Sequence, residues 1–155
     1  MLVDFGRAID LSDHANSNIN PLDVKLIGDA SEPDMQCVSM RKKRPWSFDS
    51  DTFGICASVH VLLFGNHIDI IQNGQKRWMP RQRFKRYWAV DLWTEMFDTL
   101  LNLDEGTTIG SRPRTLRFLR ERLEEHLNRN KQKLEHLLKR QARLLPKSRV
   151  EMKPN

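Results

Sequence analysis

The chain has 155 residues and a formal net charge of +6 at pH 7. That length accommodates one domain around a single hydrophobic core. The two cysteines, Cys37 and Cys56, form no Cys-x-x-Cys pair, which predicts buried free thiols in a reducing compartment and excludes a disulfide framework or a zinc site. No signal peptide, apolar span or Asn-x-Ser/Thr acceptor can be recognised, so we expect a soluble intracellular chain with no membrane partner.

The positive charge is concentrated at the C-terminal end. Residues 111–155 hold 14 Lys/Arg against 5 Asp/Glu, a local balance of +9, whereas residues 1–110 hold 12 against 15. An acidic partner is therefore expected only for the C-terminal part.

The first 44 residues predict a short strand followed by a long irregular segment. Residues 1–6 are an apolar run ended by Asp and Gly, and residues 7–44 show little periodicity and many loop formers. Such a long loop is uncommon in a compact domain unless it is functional. A basic run closes the segment, and a run of this length is usually solvated surface, with phosphate binding or nuclear import as the alternative. The run consists of Arg41, Lys42, Lys43 and Arg44.

Residues 50–64 predict the central helix of the fold. Their apolar side chains fall on every side of a helical wheel, which is typical of a buried helix. Ser50 is a candidate N-cap, Asp51 complements the helix N-terminus, and Gly65 suits a left-handed residue past the C-terminus. His60, inside this helix, is interpreted as a hydrogen-bonded core residue.

The remaining chain predicts a hairpin and further helices. Residues 67–78 contain Asn73-Gly74 between two extended runs, a strong hairpin signal. Residues 89–103 have apolar side chains at three- and four-residue spacing, typical of an amphipathic helix. From position 111 about 35 residues predict one long helix, or two joined near residues 128–130, with Pro113 in the first turn and Pro146 at the end.

The triplet Asp4-Phe5-Gly6 directly follows the predicted first strand. In protein kinases an Asp-Phe-Gly supplies the carboxylate that holds Mg²⁺ across the β- and γ-phosphates of ATP, and its Phe packs into the core. A carboxylate with phosphate oxygens is a suitable ligand set for Mg²⁺. A strand-ending Asp followed by a turn Gly is the simpler alternative for the triplet alone.

The order of the elements resembles a kinase C-lobe from the magnesium loop onward. A long irregular segment, a buried helix that begins near Asp51, an amphipathic helix and then Arg112-Pro113 follow in that order. In this arrangement residues 7–39 form the activation segment, which includes Arg7, Ser31 and Ser39. Asp51 accepts backbone N–H bonds from the catalytic loop and so supports it structurally.

In detail the chain resembles the Bub-type mitotic spindle checkpoint kinases, and the resemblance covers nearly all of it. Trp93 and Arg112 are expected to be structural. The matching segments are Asp4-Phe5-Gly6-Arg7-Ala8-Ile9-Asp10-Leu11, Gln36-Cys37-Val38-x-Met40, Pro45-Trp46, Asp51-x-Phe53-Gly54-Ile55, Leu63-Phe64-Gly65, Trp78-x-Pro80, Phe84, Leu92-Trp93-x-Glu95-x-Phe97 and Leu100-Leu101-Asn102.

The resemblance implies a mainly α, kinase-like C-lobe fragment of a protein serine/threonine kinase. It implies a partial kinase domain over residues 1–128 and a basic helical extension with a disordered tail over residues 129–155. ATP and Mg²⁺ are the implied cofactors of the full-length protein, with Asp4, Phe5 and Gly6 at the nucleotide and Asp4 on the metal. Checkpoint and kinetochore proteins are the implied partners, and histone tails are the implied substrate. The implied location of the protein is the nucleus, the kinetochore in mitosis, and otherwise the cytoplasm.

Two features depart from the kinase pattern. The family's Glu at the end of the activation segment is Ser39 here, which leaves Arg112 without its usual ion-pair partner; Glu32 and Asp34 are candidate replacements. The chain also contains no glycine-rich loop, ATP-binding lysine strand or His-Arg-Asp loop. Because phosphoryl transfer depends on positioning and electrostatics from all these parts, the chain alone is expected to be inactive.

A non-catalytic function remains the alternative: a pseudokinase lobe, or a basic helical adaptor that binds an acidic partner. Leucines interleaved with Arg and Lys favour a partner helix over nucleic acid, because residues 111–155 contain Phe118 as their single aromatic side chain. Direct nucleic-acid binding is therefore not expected.

Overall fold

The structure, a computed structural model, describes residues 8–15, 19–20, 23–28, 30, 32, 35–103 and 112–144. The chain divides into two compact units, one ending at Arg114 and one beginning at Thr115. The predicted strand over residues 1–6 and the predicted C-terminal tail lie outside the described residues.

The described part of the first unit is mainly helical. A short 3-10 helix, Leu11–His14, precedes helix α1 (Val38–Arg41), helix α2 (Asp49–Phe64) and helix α3 (Val90–Leu101). The predicted irregular segment is joined to the start of α2 by a two-way backbone pairing: Leu26 and Trp46 each donate an N–H to the other's carbonyl, at 2.8 and 2.9 Å.

Helix α2 follows the sequence prediction closely at its C-terminus and less closely at its N-terminus. Gly65 ends the helix in the left-handed conformation (φ 78°) and donates its N–H to the Val61 carbonyl at 2.8 Å, as predicted. The predicted Ser50 cap is wrong, because the N-cap residue is Phe48, without a side-chain hydrogen bond, and Ser50 Oγ instead donates to the Ser47 carbonyl at 3.0 Å.

The predicted hairpin is present, with a wider loop than expected. Strands β1 (Ile70–Gln72) and β2 (Trp78–Pro80) pair antiparallel, with Ile70 opposite Pro80. The left-handed residue of the loop is Lys76 (φ 61°), where Gly74 was the expected turn glycine. The side chain of Asn73 explains the difference. Its Oδ1 accepts the N–H groups of Gln75 and Arg77 at 2.9 and 3.0 Å and so stabilises the wider loop.

The hairpin is fixed to α3 through the amide of Asn102. Asn102 Oδ1 accepts the Trp78 N–H at 2.7 Å, and Asn102 Nδ2 donates to the Trp78 carbonyl at 2.9 Å. Arg77 adds a two-pronged ion pair to Asp98, with both N–O distances at 2.7 Å. These contacts hold β2 against the last turn of α3.

The core of the first unit lies between α2, α3 and the hairpin. It is built from the apolar face of α3 predicted by the sequence and from one face of α2. Its buried apolar side chains include Phe53, Cys56, Ile68, Ile70, Leu92, Met96, Phe97, Leu100 and Leu101.

The C-terminal helical region consists of α4 (Arg112–Arg129) and α5 (Lys131–Leu144). The helices are separated at Asn130, so the chain adopts the two-helix form of the prediction. Asn130 Nδ2 donates to the His126 carbonyl at 2.8 Å, and the Asn130 carbonyl accepts the Leu134 N–H at 2.9 Å. Asn130 thus satisfies backbone groups on both sides of the turn.

Candidate functional site

Helix α2 has a buried face and an exposed face. Phe53, Cys56 and His60 are 4%, 0% and 1% exposed, whereas Ile55 and Leu62 on the other side are 45% and 85% exposed. Among the described residues, α2 is therefore buried on one face and exposed on the other. The physical reason is that none of the described residues packs over the face that carries Ile55 and Leu62.

Asp51 lies on this exposed face, near the N-terminus of α2. Partial burial of the carboxyl group raises the pKa of Asp51 above its ordinary value, although the residue as a whole is exposed. A carboxylate that already loses hydration in this way is stabilised by new N–H donors. The geometry is thus compatible with the predicted support role of Asp51, which stays a prediction.

The basic run Arg41–Arg44 contains the last residue of α1 and the three residues that cap and follow it. Lys43 adopts a left-handed conformation (φ 53°), its N–H donates to the Met40 carbonyl at 2.8 Å, and the Arg44 N–H donates to the Ser39 carbonyl at 2.9 Å. This is the hydrogen-bond pattern of a Schellman motif. The run therefore has a defined backbone structure, with exposed side chains at Lys42, Lys43 and Arg44.

Arg112 has an acidic partner that the sequence did not reveal. Its Nη2 lies 3.3 Å from Asp49 Oδ1, and the two side chains are each 12% exposed. Of the predicted replacements, Glu32 is exposed and Asp34 lies outside the described residues. The signal that could have identified Asp49 is its position as the first residue of α2, where a carboxylate is also stabilised by the helix N-terminus.

Ser39 is 8% exposed and lies on α1, close to this ion pair. Ser39 and Asp49 both line a cavity of about 130 Å³, which also has Lys42, Arg44 and Lys76 in its wall. The structure thus brings Ser39 and part of the basic run together with Asp49, the partner of Arg112.

Several predicted site residues lie outside the described part of the chain. They are Asp4, Phe5, Gly6, Arg7 and Ser31. The roles predicted for them, as magnesium and nucleotide ligands and as activation-segment residues, stay predictions.

His60 is enclosed by aromatic rings. Its ring centroid lies 4.5 Å from that of Phe64 and 6.5 Å from that of Phe97, and Nδ1 lies 3.0 Å from the Asn66 carbonyl oxygen. Nδ1 therefore carries the proton and donates it, while Nε2 has no hydrogen-bond partner within the described residues. The predicted core position is confirmed, with one of the two ring nitrogens satisfied. Trp93, the other predicted structural residue, is half-buried on α3.

The described residues contain no group of three or more His, Cys, Asp or Glu side chains that could hold a metal ion. Among the same residues, no helix has the length and apolar character needed to cross a membrane.

Comparison with known proteins gives consistent matches. The chain is 37% identical to the mitotic checkpoint serine/threonine-protein kinase BUB1 of Arabidopsis thaliana over 97% of this chain and 27% of that protein. It is 42% identical to the spindle assembly checkpoint serine/threonine-protein kinase bub1 of Schizosaccharomyces pombe over 65% of this chain and 9% of that protein. No protein family model matches the chain.

The fold also matches a solved structure, the crystal structure of the BubR1 kinase domain. The TM-score is 0.67 at 27% sequence identity, over 76% of this chain and 34% of that one. The helices and the small hairpin therefore define a protein-kinase C-lobe segment, as the sequence predicts.

The chain belongs to the Bub-type spindle checkpoint serine/threonine kinases and corresponds to part of their kinase domain. It spans about a quarter of the length of the Arabidopsis relative, 27%, and less of the fission-yeast one.

Proposed function

We propose that the chain supplies the C-lobe of a spindle checkpoint protein kinase, which in its full-length form transfers the γ-phosphate of ATP to Ser or Thr side chains of proteins. The observation that carries this proposal is the 37% identity to a checkpoint serine/threonine kinase over 97% of the chain. Under this proposal Asp4 binds Mg²⁺, and Phe5 and Gly6 position that carboxylate against the nucleotide.

The exposed face of α2 is the part of the fold that this proposal explains best. Asp51, Ile55 and Leu62 lie together on that face, with Leu62 85% exposed. In a longer kinase the upstream elements would cover the two apolar side chains, and backbone N–H groups of the catalytic loop would bond to the Asp51 carboxylate. Burying Leu62 alone in this way stabilises the assembly by about 1.5–3 kcal/mol.

The remaining roles follow from the same assignment. Residues 7–39, with Arg7, Ser31 and Ser39, act as the activation segment, and the run at residues 41–44 is a basic patch that docks the protein substrate. ATP and Mg²⁺ are the cofactors, and checkpoint and kinetochore proteins, with histone as substrate, are the partners. The site of action is the nucleus, and the kinetochore in mitosis.

A segment replacement tests this function. Residues 1–155 would replace the matched segment of the Arabidopsis kinase, and phosphate transfer from Mg²⁺-ATP to a histone substrate would be measured. We expect transfer by the chimera and a loss of at least about 100-fold in the Asp4→Asn chimera, because the metal carboxylate acts only in the assembled site. Equal thermal stability of the two chimeras is the control for folding. A folded chimera without turnover, or an Asp4→Asn chimera with full turnover, would contradict the assignment.

The C-terminal unit favours a second function, a basic helical adaptor that binds an acidic partner. Along α4 and α5 five leucines are partly exposed, between 37% and 53%: Leu116, Leu127, Leu134, Leu137 and Leu138. Basic side chains outnumber acidic ones around them. An acidic amphipathic peptide should bind this unit with an affinity that falls steeply as salt rises. Binding that is unaffected by Leu134→Gln and Leu138→Gln would exclude a helix-docking mode.

A further inference from the structure

A cationic cavity lies where the end of α1, the start of α2, the hairpin loop and the end of α3 meet. Its volume is about 130 Å³, well above the roughly 10–15 Å³ that one water molecule requires. Lys42, Arg44, Lys76 and Arg77 line it, together with one acidic residue, Asp49. Phe53 contributes to an apolar wall.

Asp49, the acidic side chain among the described residues that line the cavity, is neutralised. Asp49 Oδ1 lies 3.3 Å from Arg112 Nη2, and Arg77 is likewise engaged, by both oxygens of Asp98. No carboxylate pairs with the ammonium groups of Lys42 and Lys76 within the described residues. Within the described part of the wall, the positive charges of Lys42 and Lys76 are therefore not offset by an acidic side chain.

The backbone that presents these lysines is strained at two positions. Among the described non-glycine residues only Lys43 and Lys76 have a positive φ, 53° and 61°. Lys76 itself lines the cavity, and Lys43 lies between two residues that line it, Lys42 and Arg44. A left-handed conformation costs a residue with a Cβ roughly 1–2 kcal/mol, and glycine is the usual solution. Strain of this kind is concentrated at ligand-binding sites.

We propose that this cavity binds a phosphoryl group carried on a serine or threonine side chain of a peptide. Lys42 and Lys76 bind the phosphate oxygens as point charges from two sides. The apolar wall at Phe53 packs against the side chain next to the phosphorylated one. The inference goes beyond the proposed function, because the binding requires no phosphate transfer by this chain.

The test is a titration of the full 155-residue chain. Three ligands are compared by calorimetry: a short peptide with one phosphoserine flanked by leucines, the same peptide without phosphate, and inorganic phosphate. The indole N–H resonance of Trp78, which lines the cavity, reports occupancy and is assigned with Trp78→Phe. We expect saturable binding of the phosphopeptide, at least about tenfold tighter than that of the unphosphorylated peptide, from charge-assisted hydrogen bonds.

Two substitutions localise the binding. Lys42→Gln removes one cation, and Lys76→Asn removes the other while keeping a residue that tolerates the left-handed conformation. Each substitution should weaken phosphopeptide binding by about tenfold. The control is Lys25→Gln, the same charge change at an exposed lysine that does not line the cavity. This control should change the affinity by no more than about twofold.

The ligands distinguish the source of the phosphoryl group. Phosphopeptide binding well above that of inorganic phosphate identifies a peptide-borne group, and equal binding with mutual competition identifies free phosphate. Equal affinity for phosphorylated and unphosphorylated peptide would overturn the proposal. So would phosphopeptide affinity that Lys42→Gln and Lys76→Asn leave unchanged in chains that melt like the unsubstituted protein. None of these outcomes depends on kinase activity, so failure here leaves the proposed function untouched.

Discussion

Asp49 and Arg112 are joined across 63 positions of the sequence by a contact of 3.3 Å between Oδ1 and Nη2, with both side chains 12% exposed. The pair connects the first residue of α2 to the first residue of α4. Asp49 thus gives Arg112 a carboxylate partner, because this chain has Ser39 at the position where related kinases have the pairing glutamate.

Removing one member of this pair should destabilise the chain markedly. Asp49→Asn leaves a largely buried guanidinium without its counter-charge, and such losses cost about 3–5 kcal/mol. Urea unfolding measures the effect. The matched control is Glu124→Gln, which removes an exposed ion pair with Arg120 and should cost about 0.3–0.5 kcal/mol.

A double-mutant cycle separates the pair from the individual residues. Arg112→Gln in the Asp49→Asn background should cost far less than in the unsubstituted chain, because the charge that was left unpaired is then removed. Additive costs for the two substitutions would show that the two side chains do not interact energetically.

The amide of Asn102 should be the main attachment of the hairpin to α3. Asn102→Ala removes the bonds to both backbone groups of Trp78, and we expect a loss of about 2–3 kcal/mol, because two partly buried backbone groups lose their partners. Asn66→Ala, an exposed amide, should change stability by no more than about 0.5 kcal/mol. Hydrogen exchange at the Trp78 amide tests the local effect, and unchanged protection in Asn102→Ala would contradict it.

The sequence predicted the secondary-structure elements that are determined by residues close together in the chain. The apolar run and Gly65 identified α2 and its C-terminus, and Gly65 is left-handed as expected. The spacing of apolar residues identified α3, whose buried face matches the prediction. The Asn-Gly pair identified the hairpin and misplaced its turn, because the side chain of Asn73 organises the loop around Lys76.

The parts that sequence reasoning missed depend on tertiary contacts. Nothing near Arg112 in the sequence points to Asp49, since the two meet only when α2 and the end of the first unit are in place. Apolar composition predicted burial of α2 on every side, and composition cannot say which neighbour covers which face. Lysine at two left-handed positions has no sequence signal, because glycine and asparagine are the residues that normally mark them.

The strain at Lys43 should be measurable. Lys43→Gly should stabilise the chain by about 1 kcal/mol, because glycine at C′ of a Schellman motif avoids the Cβ clash of the left-handed conformation. Lys42→Gly, one residue earlier at φ −87°, should instead cost about 0.5–1 kcal/mol through the flexibility that glycine adds to the unfolded chain. Thermal unfolding of the two variants gives the comparison, and a loss of stability in both would contradict the strain.

The buried thiol of Cys56 should make the folding stability of the chain decrease at alkaline pH. Burial raises the pKa of Cys56 from its ordinary value of 9.0 to about 12 in the folded chain. Above pH 9 the unfolded chain loses the thiol proton and the folded chain keeps it, so the contribution of this group to stability is complete below pH 9 and declines up to about pH 12.

The expected decline approaches 1.4 kcal/mol for each pH unit inside that window. Urea unfolding at intervals from pH 8 to 10.5 measures it, with Cys56→Ala as the control, because alanine lacks the titrating group and keeps the other alkaline titrations. Cys56→Ala should be the less stable protein at pH 8, since it leaves a cavity in the core, and the difference between the two proteins should shrink as the pH rises. A difference that stays constant across the window would mean that the Cys56 thiol ionises equally easily in the folded and unfolded chains.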